Sequence, residues 1–183
     1  MIKMISLNKG WKFQWTEYLG ENVTYGECLG ALRRERFMNA RVPGDAHLDL
    51  MEHGVLPDLY TGCNIDHAQW MEAKDWVYTR RFNTPRNLGG RKVFLRFHGL
   101  DTYATVWLNG SLLGKTDNMY LRYEFEVTGL LEKSGRNELL IRIASPMYSF
   151  EMDGTIRPLV HTPERLFIRK AQMSFGGTSL LDC

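Results

Sequence analysis

The segment Leu121 to Val127 alternates strictly, with apolar side chains at every odd position and charged side chains at every even one. Side chains of an extended strand point to opposite faces in turn, so this pattern predicts a strand with one packed face and one solvated face. Such one-sided strands are typical of antiparallel sheets. Of all features of the chain, this segment most constrains the fold.

Further strands are predicted around it. Residues 92–97 and 138–143 are rich in β-forming residues, and each follows a turn-forming stretch, at 89–90 and 134–137. Ala104 to Leu108 and Ser111 to Gly114 flank Asn109-Gly110, a pair that favours a tight type I′ hairpin turn. Short strands without intervening helices predict an all-β antiparallel β-sandwich.

The first half of the chain is less regular. Trp11 to Trp15 can form a strand, His47 to Glu52 a short helix capped by Asp45, and Ile65 to Lys74 a further helical turn or two. Ser145 to Pro163 contains three prolines and predicts a long connecting loop. We therefore expect one or two short helices beside the sandwich, with Trp11 and Trp107 in its core.

Composition excludes several classes of function. The 183 residues are 44% hydrophobic and 24% charged, which suits one globular domain. The formal net charge is only +2 and the basic residues are scattered, so we expect no nucleic-acid partner. No apolar run is long enough for a signal peptide or a membrane span, and we expect a cytoplasmic protein with no membrane partner.

Metal, cofactor and disulfide chemistry are not expected either. Cys28, Cys63 and Cys183 lie far apart without a metal-binding spacing and are predicted to be free thiols. The histidines lack any paired ligand motif, and no glycine-rich segment has the context of a phosphate-binding loop; the histidines are His47, His53, His67, His98 and His161. The sequence therefore predicts no metal and no cofactor.

Four motifs in order resemble a known family. They are Gly10 to Phe13, Val42 to His47, Asp75 to Tyr78, and the run from Phe97 to Gly110. Each is weak alone, but together they resemble the galactose-binding-like jelly-roll domain that opens family 2 glycoside hydrolases. That family includes β-galactosidases, β-glucuronidases and β-mannosidases. The resemblance implies a jelly-roll β-sandwich whose sugar-binding-like fold does not by itself grant sugar binding.

Three further segments favour the β-mannosidase branch of this family. They are Pro57 to Tyr60, Asn64 to Trp70, and the run from Phe167 to Gly176, which is the most specific. In the family the final Phe-Gly continues into a Trp-Asp-Trp loop that helps shape the sugar subsite. Here residues 177–183 read GTSLLDC instead. We therefore expect a jelly-roll domain at 1–176, a non-family tail at 177–183, and a chain that represents a truncated fragment.

The resemblance also implies where catalysis lies. Retaining glycosidases use two carboxyl groups, and in this family both glutamates come from a later (β/α)8 barrel of ~250 residues, too long for this chain. We therefore predict no catalytic residue and no enzymatic activity in this fragment. The available glutamates are expected to be solvated: Glu72, Glu124, Glu126 and Glu151.

Exposed aromatic rings remain the candidates for contact with substrate, since sugars stack on them. Trp70 and Trp76 are the named substrate-binding candidates, with Tyr103 and Tyr120 as further possibilities. For both tryptophans packing in the core is the first alternative, and contact with another domain is its main competitor. We expect oligosaccharide to bind weakly if at all, with a Kd no better than about 1 mM.

Three functions remain open at this stage. The first is a structural, pocket-completing domain whose partners are the catalytic barrel and other β-domains of a full-length enzyme. The second is an autonomous carbohydrate-binding module, and the third a domain of another family 2 enzyme such as a β-galactosidase. Under the first, the uncovered interface should expose apolar surface and permit self-association.

The tail supplies a first prediction. Deleting residues 177–183 should leave the melting temperature nearly unchanged, because its small, flexible residues offer little area to bury in a defined geometry. Thermal unfolding of the deletion beside the parent, with thiol labelling of Cys183 in the parent, measures this. A large loss of stability would show that the tail packs natively.

Overall fold

The computed structural model describes residues 3–86, 88, 90–133 and 135–146, and the backbone of two short strands beyond them. The strands are β1 (Trp11–Glu17), β2 (Met38–Ala40), β3 (Lys74–Asn83), β4 (Phe94–Phe97), β5 (Ala104–Leu108), β6 (Ser111–Lys115), β7 (Tyr123–Glu126), β8 (Arg136–Ile143), β9 (Glu151–Met152) and β10 (Thr155–Ile156). The helices are α1 (Tyr25–Ala31) and α2 (Ala46–Glu52), with 3-10 helices at Arg34–Arg36 and Asn64–Ala73. The predicted tail lies outside the described residues, as do Cys183 and the run from Phe167 to Gly176.

The described strands form an antiparallel β-sandwich, as predicted. One sheet has six strands in the order β2-β1-β3-β8-β5-β6, and β4 pairs with β7 in a second sheet. Strands β9 and β10 form a separate two-stranded ladder. Every described pairing is antiparallel, as predicted.

The six-stranded sheet carries a core on each face. The larger core holds Phe13, Tyr78, Val106 and Ile141 together with Leu95 and Val127 from the β4 and β7 side. The smaller core lies under α1 and consists of Val23, Cys28, Val77, Trp107 and Leu140. Because successive side chains of a strand face opposite ways, β3, β5 and β8 each supply both cores.

The hairpin turn between β5 and β6 adopts the backbone that its sequence predicts. Asn109 has φ 51° and Gly110 has φ 83°, the two positive values that a type I′ turn requires. The Asn109 side chain also accepts a hydrogen bond from the Glu138 backbone N–H at 2.8 Å and donates to the Leu130 carbonyl at 2.8 Å. The turn is thereby tied to β8 and to the loop after β7.

The alternating segment Leu121 to Val127, which contains β7, has one packed face and one solvated face. On the outer face of β7, Glu124 and Glu126 are exposed and pair with Arg96 of β4 and with Lys92, two residues before β4. On the inner face, the Phe125 ring meets the Phe97 ring edge to face, with centroids 6.0 Å apart. One face of this strand therefore packs and the other is solvated.

The first half contains more structure than its sequence indicates. Strand β3 begins at Lys74, so the predicted helical segment ends one residue early, and α1 and β2 were not predicted at all. A capping box joins Thr24 and Glu27 at the start of α1, but Cys28 is its only buried residue. A seven-residue helix with one buried position carries almost no periodic signal.

The prediction of one long loop over Ser145 to Pro163 is wrong where β9 and β10 pair.

Truncating Trp107 should destabilise the domain strongly. Its side chain is 3% exposed in the smaller core, so Trp107→Ala leaves a cavity and should cost about 3 to 5 kcal/mol of unfolding free energy. Leu112 lies opposite it on β6 and is 56% exposed. Leu112→Ala is thus the matched control, with an expected cost below about 0.5 kcal/mol. Equal costs in urea unfolding would contradict this account of the smaller core.

Candidate functional site

Three tryptophans meet at one end of the six-stranded sheet. Trp15 of β1 lies opposite Trp76 of β3, and Trp70 of the long 3-10 helix packs against both. The ring centroids are 5.0 Å apart for Trp15 and Trp70, 5.8 Å for Trp15 and Trp76, and 6.0 Å for Trp70 and Trp76. These rings hold the 3-10 helix on the sheet, and we call them the tryptophan cluster.

The cluster brings both substrate-binding candidates together. Trp76 is 9% exposed, and its indole N–H donates to the Met71 carbonyl at 3.2 Å, so it lies in the core. Trp70 is half-buried and keeps part of its ring at the surface. Contact of either residue with a sugar stays a prediction. Trp15 was not singled out, although its place two residues after Phe13 in an alternating strand is the signal that could have found it.

The other aromatic candidates lie elsewhere. Tyr120 is 51% exposed in the turn before β7, and Tyr103 is half-buried just before β5. Trp11 is 5% and Trp107 is 3% exposed, which confirms both as core residues. Only Trp70 and Trp76 share one cluster.

A buried ion pair lies beside the tryptophan cluster, on the opposite face of β3. The Asp75 carboxylate is fully buried and accepts a hydrogen bond from Arg142 Nε at 2.7 Å, while Arg142 Nη2 lies 2.6 Å from the same oxygen as an ion-pair contact. Arg142 is 1% exposed, and its guanidinium lies 5.5 Å from the centre of the Tyr18 ring. This pair therefore links β3 to β8 within the interior of the domain.

The same carboxylate fixes two places where the chain leaves the sheet. It accepts from the backbone N–H of Leu19, two residues after β1, at 3.0 Å, and from that of Ser145, two residues after β8, at 2.8 Å. Burial raises the pKa of Asp75, while the positive charge of Arg142 and the two backbone donors oppose that rise. Asp75 thus connects β3 to the segments that follow β1 and β8. A lone arginine within the apolar run from Leu139 to Ile143 was the sequence signal for it.

The carboxylates named from the sequence have different environments. Glu124 and Glu126 are exposed as predicted, but the prediction for Glu72 is wrong, since it is 5% exposed. The 3-10 helix packs Glu72 against the end of β8, where the Ser145 hydroxyl donates to its backbone carbonyl. Sequence periodicity could not show this, because the contact joins residues more than seventy positions apart. The Glu151 side chain lies outside the described residues.

The loop Pro57 to Tyr60 is held rigidly and presents one aromatic ring. The Asp58 carboxylate accepts from the Tyr60 backbone N–H and the Thr61 hydroxyl, each at 3.0 Å, and its carbonyl accepts from the Asn64 amide at 2.8 Å. Leu59 packs on the larger core, whereas Tyr60 is 83% exposed. The loop therefore presents the Tyr60 side chain at the surface of the domain.

The histidine and cysteine predictions can be followed within the described ranges. The Asp45 side chain accepts from the His47 backbone N–H at 2.8 Å, which confirms it as the cap of α2. Cys28 and Cys63 are free thiols as predicted, and burial raises the pKa of Cys28 to about 12. Among the described residues, no three histidine, cysteine or acidic side chains are grouped to hold a metal.

No helix in the described part is long and apolar enough to cross a membrane.

Comparison with known proteins connects this architecture to one family. The model of the glycosyl hydrolase 2 galactose-binding domain-like family matches residues 11–178. Beta-mannosidase B of Thermothelomyces thermophilus is 35% identical over 160 residues, which cover 79% of this chain and 18% of that protein. Beta-mannosidase of Rattus norvegicus is 34% identical over 150 residues, which cover 75% of this chain and 17% of that protein.

Solved structures show the same relation. The Beta-D-Mannosidase from Dictyoglomus thermophilum superposes with a TM-score of 0.67 at 35% identity, covering 80% of this chain and 16% of that one. A Beta-glucuronidase of Faecalibacterium prausnitzii, at 19% identity and a TM-score of 0.53, shares the fold. The chain thus spans about a fifth of the length of the curated relatives it matches.

Removing Asp75 should destabilise the domain because Arg142 would be left buried without its partner. Asp75→Ala should cost about 3 to 5 kcal/mol, and the double variant Asp75→Ala, Arg142→Met should recover part of that loss. Glu52→Ala, which breaks the exposed pair with Arg41, is the control and should leave the melting temperature nearly unchanged. A double variant no more stable than Asp75→Ala would contradict an unpaired charge as the cause.

Proposed function

The chain belongs to the glycosyl hydrolase 2 galactose-binding domain-like family, and from that premise we propose that it is the non-catalytic amino-terminal domain of a β-mannosidase-like enzyme. The parent activity would be retaining hydrolysis of terminal β-D-mannose residues from oligosaccharides. The domain's role would be to pack on the catalytic barrel and shape its active site.

The extent of the family match carries this proposal. The family model matches residues 11–178, and relatives named beta-mannosidase are about five times longer than this chain. Retaining hydrolysis needs two carboxyl groups about 5 to 5.5 Å apart, flanking a sugar. In this proposal both would come from the remainder of the enzyme, as the family resemblance implies.

The state of the acidic side chains supports a non-catalytic role. The Asp75 carboxylate accepts hydrogen bonds from Arg142 and from two backbone N–H groups. The Asp49 carboxylate accepts from the Arg41 backbone N–H at 3.1 Å. Glu124 and Glu126 form cross-strand ion pairs on a solvated face. Each of these carboxylates therefore has a local structural partner, and none is poised over a cleft as an acid or nucleophile would be.

The surface of the domain supports a second part of the proposal, its partners. Several large apolar side chains are exposed, and such side chains commonly contact a neighbouring domain. They include Leu48, Val55, Tyr60, Phe94, Tyr120 and Leu121. We infer that Tyr60, on its rigid loop, and the half-buried Trp70 contact the barrel or the β-domains that follow. Self-association of the isolated chain would use the same surface.

Two expectations from the sequence remain proposals. A cytoplasmic location is one of them. An autonomous carbohydrate-binding module is less favoured, because the relatives that match this chain carry enzyme names and are far longer than it. The β-mannosidase relatives likewise favour that branch over a β-galactosidase.

A chimaera tests the proposed role. The matching segment of the Dictyoglomus thermophilum enzyme, which is 35% identical, is replaced by this chain, and hydrolysis of an aryl β-mannoside is measured. We expect kcat/KM within roughly tenfold of the parent, because the shared fold presents a similar docking surface. The isolated chain should show no turnover, since it lacks the proposed acid/base and nucleophile.

A parent enzyme with the segment deleted is the control and should lose activity. Turnover that copurifies with the isolated chain would contradict a non-catalytic role. A chimaera that unfolds cooperatively but is inactive would contradict the proposal that this domain completes the mannosidase pocket.

A further inference from the structure

The turn at Asn109-Gly110 combines a reactive side chain with an accessible backbone nitrogen. A backbone amide can attack the side chain of an asparagine that precedes it, and glycine hinders this attack least because it has no Cβ. Asn109-Gly110 is the only Asn-Gly pair of the sequence. Gly110 is exposed, so hydroxide can reach its N–H.

The reaction at such a pair is a hydrolysis in two steps. The Gly110 nitrogen gives its proton to hydroxide and bonds to Asn109 Cγ, the bond from Cγ to the side-chain nitrogen breaks, and ammonia leaves. Water then opens the cyclic imide at one of its two carbonyl groups, and the product is aspartate or isoaspartate. Water and hydroxide are the only co-reactants.

The native structure holds the side chain that would react. Asn109 Nδ2 donates to the Leu130 carbonyl at 2.8 Å and to Asn137 Oδ1 at 2.9 Å, and its Oδ1 accepts from the Glu138 backbone N–H at 2.8 Å. Attack on Cγ requires this amide to turn and to lose its planarity. The three hydrogen bonds would then break together, so the attack is opposed in the folded chain.

The partner Asn137 is itself fixed by two other segments. It is fully buried, and its Oδ1 also accepts from the Glu132 backbone N–H at 2.9 Å. Its Nδ2 donates to the Thr84 hydroxyl at 2.9 Å. Release of Asn109 therefore requires local opening of the loops around the turn rather than a simple side-chain rotation.

The product does not fit the place of the amide. An ionised carboxylate has no hydrogen to donate, so its oxygen would face the Leu130 carbonyl and Asn137 Oδ1, acceptor against acceptor. Isoaspartate would also lengthen the backbone of the two-residue turn by one carbon, which disturbs the pairing of β5 with β6. Either product should loosen this junction.

We propose that Asn109 is a modification site of this protein, at which water converts the amide to an acid once the junction with Asn137 opens. The native hydrogen bonds keep the site closed, and the modified chain closes it less well than the original. This inference goes beyond the proposed role in a mannosidase and does not depend on it.

Peptide mapping by mass spectrometry tests the site. The full chain is incubated in mildly alkaline buffer, natively folded and unfolded in urea. The unfolded chain should convert Asn109 before any other asparagine, and the folded chain at least about a hundredfold more slowly, because only the opened fraction reacts. Equal rates in the two states, or a different asparagine reacting first in urea, would overturn the proposal.

Variants of the partner separate this lock from general folding. Asn137→Ala should raise the rate at Asn109 about tenfold or more, because an acceptor and the anchor of the loops are lost. Asn118→Ala removes an asparagine that bonds only in its own turn, and should leave the rate within about twofold. In the parent, the rate should likewise rise with urea below the unfolding transition. Equal rates for the two variants, or no rise in the parent, would contradict the lock.

The consequence of modification is tested by placing the product directly. Asp-Gly and Gly-Gly both suit this type of turn, so Asn109→Asp and Asn109→Gly differ mainly in the carboxylate. Asn109→Asp should melt at a lower temperature than Asn109→Gly, and the difference should shrink in acid, where a protonated carboxyl group regains a donor. Equal melting temperatures of the two variants at neutral pH would overturn the claim that modification loosens the junction.

Discussion

The pairing of β3 with β8 is the contact on which the other strands depend. Eight residue pairs join the two strands from Trp76 opposite Ile143 to Asn83 opposite Arg136. Both faces of this pair are buried, with Val77 at 0% and Leu140 at 1% exposure on one face and Tyr78 and Ile141 on the other. Strand β1 adds to one side and β5 to the other, so each core is assembled around this central ladder.

The ion pair of Asp75 and Arg142 specifies the register of the β3–β8 pairing. A buried pair is weak evidence of net stability, because desolvation opposes the attraction of the charges. Its geometry is specific, however, since one carboxylate meets Arg142 and the backbone N–H groups of Leu19 and Ser145. A slip of one residue would move Arg142 to the opposite face of the sheet, away from Asp75. The pair therefore selects one register and fixes where the chain leaves β1 and β8.

The two faces of the six-stranded sheet are covered by different elements. The face toward β4 and β7 forms the main core, and its tryptophan cluster holds the 3-10 helix in place. The same region of the chain carries Tyr60, which the Asp58 loop presents to solvent. On the other face, the smaller core lies under α1.

The sequence by itself determined the antiparallel sandwich, the Asn109-Gly110 turn and the cap at Asp45, because each rests on neighbouring residues whose backbone preferences are local. It also carried the family relation through ordered motifs. Only the tertiary structure decided that Glu72 is buried, that Asp75 joins three segments, and that Trp15 meets Trp70 and Trp76. It likewise brought Asn22 to Lys115 across ninety-three positions. Such contacts depend on which strands become neighbours, and no local preference encodes that order.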